Sequence, residues 1–599
     1  MDGMTVRRRL AWLAAVWLAA AALVDCSGGC GCGQSQEGTV VPATPAERLT
    51  VFSQRLPAQT DLALFFVDMD AVRQSGDVLS KKFSGSLPLD AYRQEVRQVT
   101  GVDVLDKASY EKAGLHPDGG FAVGYHRDAA VALFYVTDKA AFEKGLLTNL
   151  KRYYRMKDVQ AKPLEGSKTA FVVEDKGVSF GYAHLGSGLT VMVGQAAVSG
   201  AKARDVSAIL KDAMAVEEAS SLSKAAGFEG FKAQVGDGWP ASVYMNTPKL
   251  LSLYQGFDPS LKTYQKEVMD AVGEQIGWVG FGWKADGKQA TGKAFFGVQP
   301  ETLERFKGLE KPSKGAPRFK HLVMDKAYAF LRVSLNAEIF WREYFKLMPE
   351  RQQRYFKKIV GNLKSSTQID VEKDLINNLT GHGAVAVYGV NPLMYMARRA
   401  NQRMKVVTLA LHIQVKDPQR LIDTLDRITK EMGTSIQRRT LPGKVQVWGF
   451  DPESMTAPPF ALYIKDDLLT LASTDLGDER IGSMLMGDAP KLRNQISGEA
   501  TTSLLEGETA SGLYINMPRI QQQLGLVGGK MVRDILGPQK ELTVLVSVQP
   551  ENKGLAAEGS LTFAGAGGDD AGAGEDKKAS PDEKKEEGGG EKKDQGGGQ

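Results

Sequence analysis

Hydrophobic and polar residues alternate along several stretches of the chain, a pattern typical of strands with one buried face. In the stretch 278–298, Val279, Phe281 and Trp283 occupy every second position ahead of a turn at 285–288. A second stretch of the same kind runs from 542 to 563 around a turn at 550–554. The alternation predicts two hairpins of antiparallel strands.

Other predicted strands lead directly into segments of helical character. ASVYMNTPKLLSL at 241–253 and SGLYINMPRIQQQ at 511–523 both consist of an apolar run, Asn, one residue, Pro and a helix-like stretch. An Asn or Asp there can accept hydrogen bonds from the free N–H groups of a helix start, and Pro is tolerated in the first turn. We therefore predict helix caps, rather than catalytic groups, at Asp68, Asp138, Asn246, Asn336, Asp417 and Asn516.

The recurrence continues along the chain in a constant order. Residues 62–74 match 328–345 when Val67 is aligned with Val333, and three further matches follow: 119–125 with 381–390, 131–146 with 409–425, and 180–193 with 460–473. Differences in spacing fall in loops, which tolerate insertions. The repeated order predicts an internal duplication.

The predicted fold class is α+β, with two tandem related domains, each a large antiparallel sheet with helices packed on one face. We place the first repeat at 49–312 and the second at 313–565. The helices predicted to cover the sheets include 206–218, 258–276 and 341–364.

The two ends of the chain have distinct compositions. Residues 1–25 carry Arg7–Arg9 followed by an apolar run, 10–24, that is shorter than the ~20 residues needed to span a bilayer. This is the pattern of an export signal. A Gly-rich polar linker follows at 26–48, and 566–599 is a charged Gly/Lys/Glu tail without large apolar residues, which predicts disorder.

All three cysteines, at positions 26, 30 and 32, lie in this linker. The sequence LVDCSGGC around Cys26 resembles the lipobox of bacterial lipoproteins. That resemblance implies lipid attachment at Cys26, with Cys30 as the alternative because Asp25 replaces the small residue of the family. It also implies anchoring to the bacterial envelope, and Ser27 favours the outer membrane, facing the periplasm or the surface. Ordinary cleavage that releases a soluble periplasmic protein is the alternative.

The whole chain has a formal net charge of +4, and the tail from Gly568 contains ten acidic residues and six lysines. The rest is therefore only mildly basic, which does not predict nucleic-acid binding. Two basic stretches, 151–157 and 394–405, are candidates for contact with anionic lipid headgroups or an acidic polymer. The candidate contact residues are Lys151, Arg152, Arg155, Arg398, Arg399 and Arg403; the alternative is that the two stretches are solvated helix ends or loops.

The sequence carries no recognisable motif of catalysis. The six histidines are dispersed, and the chain has neither a GxSxG motif nor a phosphate-binding loop. We predict no catalytic residue, no cofactor and no metal site.

The strand, Asn-x-Pro, helix units at 243–251 and 513–520, together with 130–146 and 381–390, resemble an uncharacterised family of bacterial exported proteins. The resemblance implies export and duplication. The leading hypothesis is a non-catalytic, lipid-anchored binding or scaffold protein of the envelope, with a hydrophobic molecule as its ligand. The alternatives are a protein-interaction module of an envelope assembly and a hydrolase whose residues converge from distant positions, which a Ser–His contact in a cleft would favour.

Overall fold

The computed structural model describes residues 39–82, 102–103, 105–126, 129–154, 160–175, 178–195, 205–249, 251, 266–267, 270, 273–285, 289–312, 319, 322–390, 406–432, 436–450, 459–491, 504–505, 511–516, 519–520, 541–551 and 554–564. The strands of this part are β1 Leu62–Phe66, β2 Phe121–His126, β3 Ala129–Tyr135, β4 Lys162–Pro163, β5 Ala170–Asp175, β6 Val178–His184, β7 Leu189–Gln195, β8 Ala241–Asn246, β9 Ile276–Ala285, β10 Gln289–Val298, β11 Ala329–Ser334, β12 Leu379–Val390, β13 Val407–Val415, β14 Ile436–Leu441, β15 Val445–Phe450, β16 Phe460–Lys465, β17 Leu468–Ser473, β18 Ser511–Asn516, β19 Glu541–Glu551 and β20 Gly554–Ala564. The α-helices are α1 Pro45–Arg55, α2 Met69–Lys82, α3 Lys107–Lys112, α4 Lys139–Tyr154, α5 Val206–Met214, α6 Phe228–Phe231, α7 Pro300–Phe306, α8 Ala337–Leu347, α9 Glu350–Thr367, α10 Pro418–Met432 and α11 Asp478–Met486.

The strands form one large antiparallel sheet, which confirms the predicted α+β class. Neighbouring strands follow the order β4-β5-β6-β7-β3-β2-β1-β8-β9-β10, then β20-β19-β18-β11-β12-β13-β17-β16-β15-β14. The second series repeats the first in reverse order, with every strand label larger by ten: β20 corresponds to β10, and β14 corresponds to β4. The segments matched in the sequence therefore occupy equivalent places in the sheet, whereas the boundary placed at 312/313 stays a prediction.

The two series of strands meet at β10 and β20, the last strand of each. Following the register from the ends of β8 and β18 makes Gly292 equivalent to Gly559, and these two glycines pair with each other. A pairing between equivalent residues has two-fold symmetry. Next to this pair, Lys293 Nζ lies 3.2 Å from Glu558 Oε1.

All six predicted helix caps are present. In each case the side-chain oxygen accepts a hydrogen bond from the backbone N–H three residues ahead, at donor–acceptor distances from 3.0 to 3.3 Å, as expected of Asn and Asp at a helix start. The strand-to-helix corners of the sheet are thus fixed by residues visible in the sequence.

The helix predictions need three corrections. The segment 341–364 forms two helices, α8 and α9, because Met348 and Pro349 adopt extended conformations between them. The residue before a proline avoids the helical region, so Pro349 ends α8 at this point. The helix predicted at 258–276 lies mostly outside the described residues, and its last residue, Ile276, begins β9. The helix predicted at 206–218 is α5, which ends at Met214.

The central strands of the two series are covered differently. In β1–β3 the residues on both faces are buried, in two hydrophobic clusters. In β12, by contrast, buried and half-buried residues alternate from Leu379 to Tyr388. Helices cover both faces of the first set of central strands, and one face of the second set remains partly open. No helix in the described part of the chain combines the length and apolar composition needed to cross a bilayer.

Candidate functional site

The partly open face of β11–β13 forms an apolar groove with a volume of about 460 Å³. Its floor consists of side chains that alternate strand periodicity brings to one face, and α8 forms one wall. The floor residues are Leu331, Val333, Gly383, Val385, Leu411 and Ile413; the wall residues are Ala337, Phe340 and Trp341, and Ile376 and Leu379 lie at one end.

Strand register shows which residues of the first half correspond to this floor. Asn246 and Asn516 are equivalent caps, and the residues before them, Met245 and Ile515, pair with Leu62 and Ala329. Two residues further along β1 and β11, Leu64 is therefore equivalent to Leu331. Leu64 is 6% exposed and Leu331 is 42% exposed, so equivalent positions on the same face are covered in one half and open in the other.

The difference comes from a row of aromatic residues that crosses three strands in the first half. Phe66 pairs with Phe121, which pairs with Phe134. The equivalent row in the second half is Val333, Gly383 and Ile413, joined by the same pairings.

The aromatic row fills the space that the groove occupies in the second half. Phe66 and Phe121 stack with ring centroids 4.4 Å apart, and Phe134 lies 5.5 Å from Phe142 of α4. Large aromatic side chains bury ~150–250 Å² each. Their replacement by Val, Gly and Ile, all of which line the groove, removes enough volume to open it.

The two glycines at the start of β12 have different roles. Gly381 has a φ of +97°, and a Cβ there would collide with the carbonyl oxygen of Leu335, so this position requires glycine. A Cβ on Gly383 would lie 3.7 Å from the nearest atom, the carbonyl oxygen of His412, which is an ordinary contact distance. Backbone geometry therefore does not demand glycine at 383, and its effect is to leave the groove floor low.

The wall of the groove is held by contacts between α8 and α9. Trp341 lies 5.2 Å from Phe356 and Phe345 lies 5.6 Å from Phe356, measured between ring centroids. This cluster joins the two helices after the break at Pro349 and sets the orientation of Trp341 toward the groove.

A buried carboxylate strengthens the same wall. Glu343 is fully buried and accepts hydrogen bonds from Arg305 Nε at 2.5 Å, Arg342 Nε at 2.8 Å and Lys346 Nζ at 3.0 Å. Although burial opposes ionisation, these three cations lower the pKa of Glu343 to about 2. The carboxylate is ionised at neutral pH and ties α7 to α8.

The opposite face of β11–β13 carries a buried polar layer. His412 Nδ1 lies 2.9 Å from Thr470 Oγ1, and burial lowers the pKa of His412 to about 4, so that its ring is neutral at neutral pH. His382 Nδ1 lies 3.0 Å from Ser334 Oγ. His382 is 2% exposed and Ser334 is 7% exposed, so the contact satisfies buried polar atoms of the core face. His382 also counts among the residues that line the groove.

A second cluster of titratable groups lies in the first half, where His184 Nε2 is 3.5 Å from Glu143 Oε1. His184 Nδ1 is 2.9 Å from Thr190 Oγ1, and the ring packs against Phe142 and Tyr182. Burial lowers the pKa of His184, so the neutral ring is favoured. Among the described side chains, no group of three or more His, Cys, Asp or Glu residues is arranged to hold a metal ion.

The site residues predicted from the sequence lie either away from the groove or outside the described residues. Lys151 and Arg152 are exposed in the last turn of α4 and are not among the residues that line the groove. Cys26, Cys30, Arg155, Arg398, Arg399 and Arg403 lie outside the described residues.

Sequence reasoning missed the groove because its alignment was displaced by one residue. Aligning Val67 with Val333 places Phe65 opposite the position of Leu331, whereas the sheet register places Leu64 there. A shift of one residue exchanges the two faces of a strand. With the register corrected, the aromatic row and its smaller counterparts are readable in the sequence.

Comparison with known proteins gives little further information. No protein-family model and no curated protein sequence matches the chain. Solved structures of TP0453 are similar at low level: crystal form III has a TM-score of 0.24 and 9% identity over 41% of this chain and 80% of that one. Crystal form IV gives 0.23 and 10% over 43% and 84%, and crystal form I gives 0.24 and 8% over 42% and 79%. TM-scores at this level support no statement about function.

Proposed function

We propose that the protein is a non-catalytic binding protein of the bacterial envelope that holds a hydrophobic ligand, such as an acyl chain, in the groove between β11–β13 and α8. The observation that carries this proposal is the apolar lining of a cavity of about 460 Å³. That volume lies within the ~300–1,000 Å³ of small-molecule sites. The export signal and lipid anchor expected from the sequence would place such a site beside a source of lipids.

The contrast between the two halves supports a role in binding rather than a packing defect. Filled cores are the rule in proteins, and the first half fills the equivalent space with Phe66, Phe121 and Phe134. An open apolar groove leaves Leu331 exposed to water, which is unfavourable by itself. A hydrophobic ligand would remove that surface from water.

The proposal is tested by titrating the full chain with the apolar fluorophore N-phenyl-1-naphthylamine and then displacing it with palmitate. The test variant is Leu331→Asp, because Leu331 lines the groove yet is exposed enough for the fold to accept a charge. Phe281→Asp is the matched control, since Phe281 is an exposed strand residue of the first half with 40% exposure.

We expect Leu331→Asp to weaken fluorophore binding at least ~10-fold, the equivalent of ~1.4 kcal/mol, because an apolar ligand would desolvate the new carboxylate. Phe281→Asp should bind as the unaltered chain does. Equal fluorophore affinities of all three proteins, or bound fluorophore that palmitate does not displace, would show that the groove holds no such ligand.

A further inference from the structure

The outward face of α9 combines exposed apolar side chains with cations. Phe356 faces inward and packs on Trp341 and Phe345, which fixes the rotation of the helix. Tyr355 and Ile359, four residues apart and so on one face, are both exposed, at 69% and 46%.

Cations flank these two residues. Arg351 and Lys358 lie one turn before and one turn after Tyr355, on the same side of the helix as Tyr355, and Arg354 borders it. All three are exposed, and no carboxylate in the described part of the chain lies within ion-pair distance of them. The other lysines of α9 are engaged elsewhere: Lys357 lies over the ring of Phe345, and Lys364 bonds to Asp370.

The neighbouring helix α8, which packs on α9 through Phe356, also carries exposed aromatic residues. Phe340 and Tyr344 stack with ring centroids 5.7 Å apart and an interplanar angle of 7°, and both are exposed. Phe340 also lines the groove, so this aromatic pair lies at the groove wall. Five of the eight large hydrophobic residues that are exposed in the described part of the chain fall between 331 and 359.

Charge complementarity favours an anionic partner for this surface. The segment 337–367 carries seven basic and three acidic residues, a net charge of +4. A second copy of the same surface would bring like charges together, and the basic stretch 394–405 of the chain itself has the wrong sign. Cations around aromatic and aliphatic side chains suit an anionic bilayer, in which phosphates meet the cations and the apolar side chains reach the acyl boundary.

We propose that the outward face of α8 and α9 docks on an anionic lipid bilayer. Tyr355 and Ile359 enter the boundary between headgroups and acyl chains, and Arg351, Arg354 and Lys358 contact lipid phosphates. This surface is separate from the groove floor, and its docking does not depend on what the groove holds. Docking would, however, bring the groove wall at Phe340 to the bilayer.

The test uses the full chain in vesicles with Tyr355 replaced by the photoreactive amino acid p-benzoylphenylalanine, which forms a covalent adduct with whatever lies against it on illumination. The same replacement at Phe281, an exposed residue of the first half, is the control and measures contact due to tethering of the chain alone. Vesicles contain phosphatidylcholine alone or mixed with phosphatidylglycerol, and adducts are identified by mass spectrometry.

In the anionic vesicles we expect at least ~10-fold more lipid adduct from position 355 than from position 281. Attraction of ~1 kcal/mol for each cation predicts that three cations together favour docking on the order of 100-fold, so the yield at 355 should fall strongly in phosphatidylcholine alone, at high salt, and in an Arg351→Glu/Lys358→Glu background. High salt needs no further substitution, so this arm does not depend on how the charge variant folds.

Equal lipid adducts at 355 and 281, yields that ignore anionic lipid, or adducts to a second protein chain would overturn the proposal. Fluorophore binding to the groove is measured on the same charge variant and should be unchanged. Loss of docking with intact groove binding, or the reverse, thereby separates failure of this inference from failure of the proposed function.

Discussion

Filling the groove with the phenylalanine that the first half has at the equivalent position tests whether the loss of that ring opens the groove. Gly383 is equivalent to Phe121, and a Cβ at 383 has room, so Gly383→Phe should place a ring across the groove floor. The ring would lie between Val333 and Ile413, just as Phe121 lies between Phe66 and Phe134 in the first half.

The magnitude follows from buried area. A phenylalanine that buries ~150 Å² gains up to about 4 kcal/mol at ~25 cal/mol per Å², and a floor position open on one side should give about half of that. Removing a glycine from a strand interior adds ~0.5–1 kcal/mol. We expect a net stabilisation of β12 by about 2.5 kcal/mol, hence roughly 70-fold slower hydrogen exchange of its amides, together with at least ~10-fold weaker fluorophore binding.

The matched control is Val387→Phe, on the same strand and face but not among the residues that line the groove. It should leave fluorophore binding unchanged. Faster exchange of β12 in Gly383→Phe would show that the ring does not fit the groove floor. Slower exchange with unaltered binding would place the ligand elsewhere.

Two further predictions concern the groove wall. Glu343→Gln should destabilise the protein by about 3 kcal/mol at pH 7, since the pKa of Glu343 is lowered from 4.5 to about 2. This contribution is fully present above the unfolded pKa and is lost as pH falls from about 4.5 toward 2, so the urea unfolding curves of the variant and the unaltered chain should converge in acid. The control Glu338→Gln alters an exposed pair with Lys416 and should cost under ~1 kcal/mol. A loss of stability in Glu343→Gln that does not change with pH would contradict this reasoning. Asn336→Ala removes the hydrogen bond that the Asn336 side chain accepts from Ile339 N at 3.1 Å, and should destabilise α8 by about 1 kcal/mol in the same assay. Asn336→Asp keeps an acceptor and should retain stability. Equal losses in both variants would show that the cap is not the cause.

Local features of the fold were readable from the sequence because they depend on neighbouring residues. Caps such as Asn246 and Asn516 act on N–H groups three residues ahead, and alternation at 278–298 marks a hairpin. The break at Pro349 follows an equally local rule, and the prediction of one continuous helix overlooked it.

The groove depends on cross-strand register, which no single segment contains. Val333, Gly383 and Ile413 are ordinary strand residues in isolation, and only their pairing aligns them with three phenylalanines of the other half. Glu343 is likewise unremarkable in a helix of mixed charge. Its burial depends on Arg305 of α7, 38 residues earlier in the chain.

The junction of β10 with β20 has a consequence for how such a chain could change in evolution. Pairing between equivalent strands, with Gly292 opposite Gly559, is the interface that two identical ten-strand units would form as a symmetric dimer. In a dimer of identical subunits, any substitution appears twice, so a residue that opens a ligand site also weakens the core of the partner. Joining the units in one chain removes that constraint. One copy can keep its aromatic core, and the other is free to lose that core and open a groove.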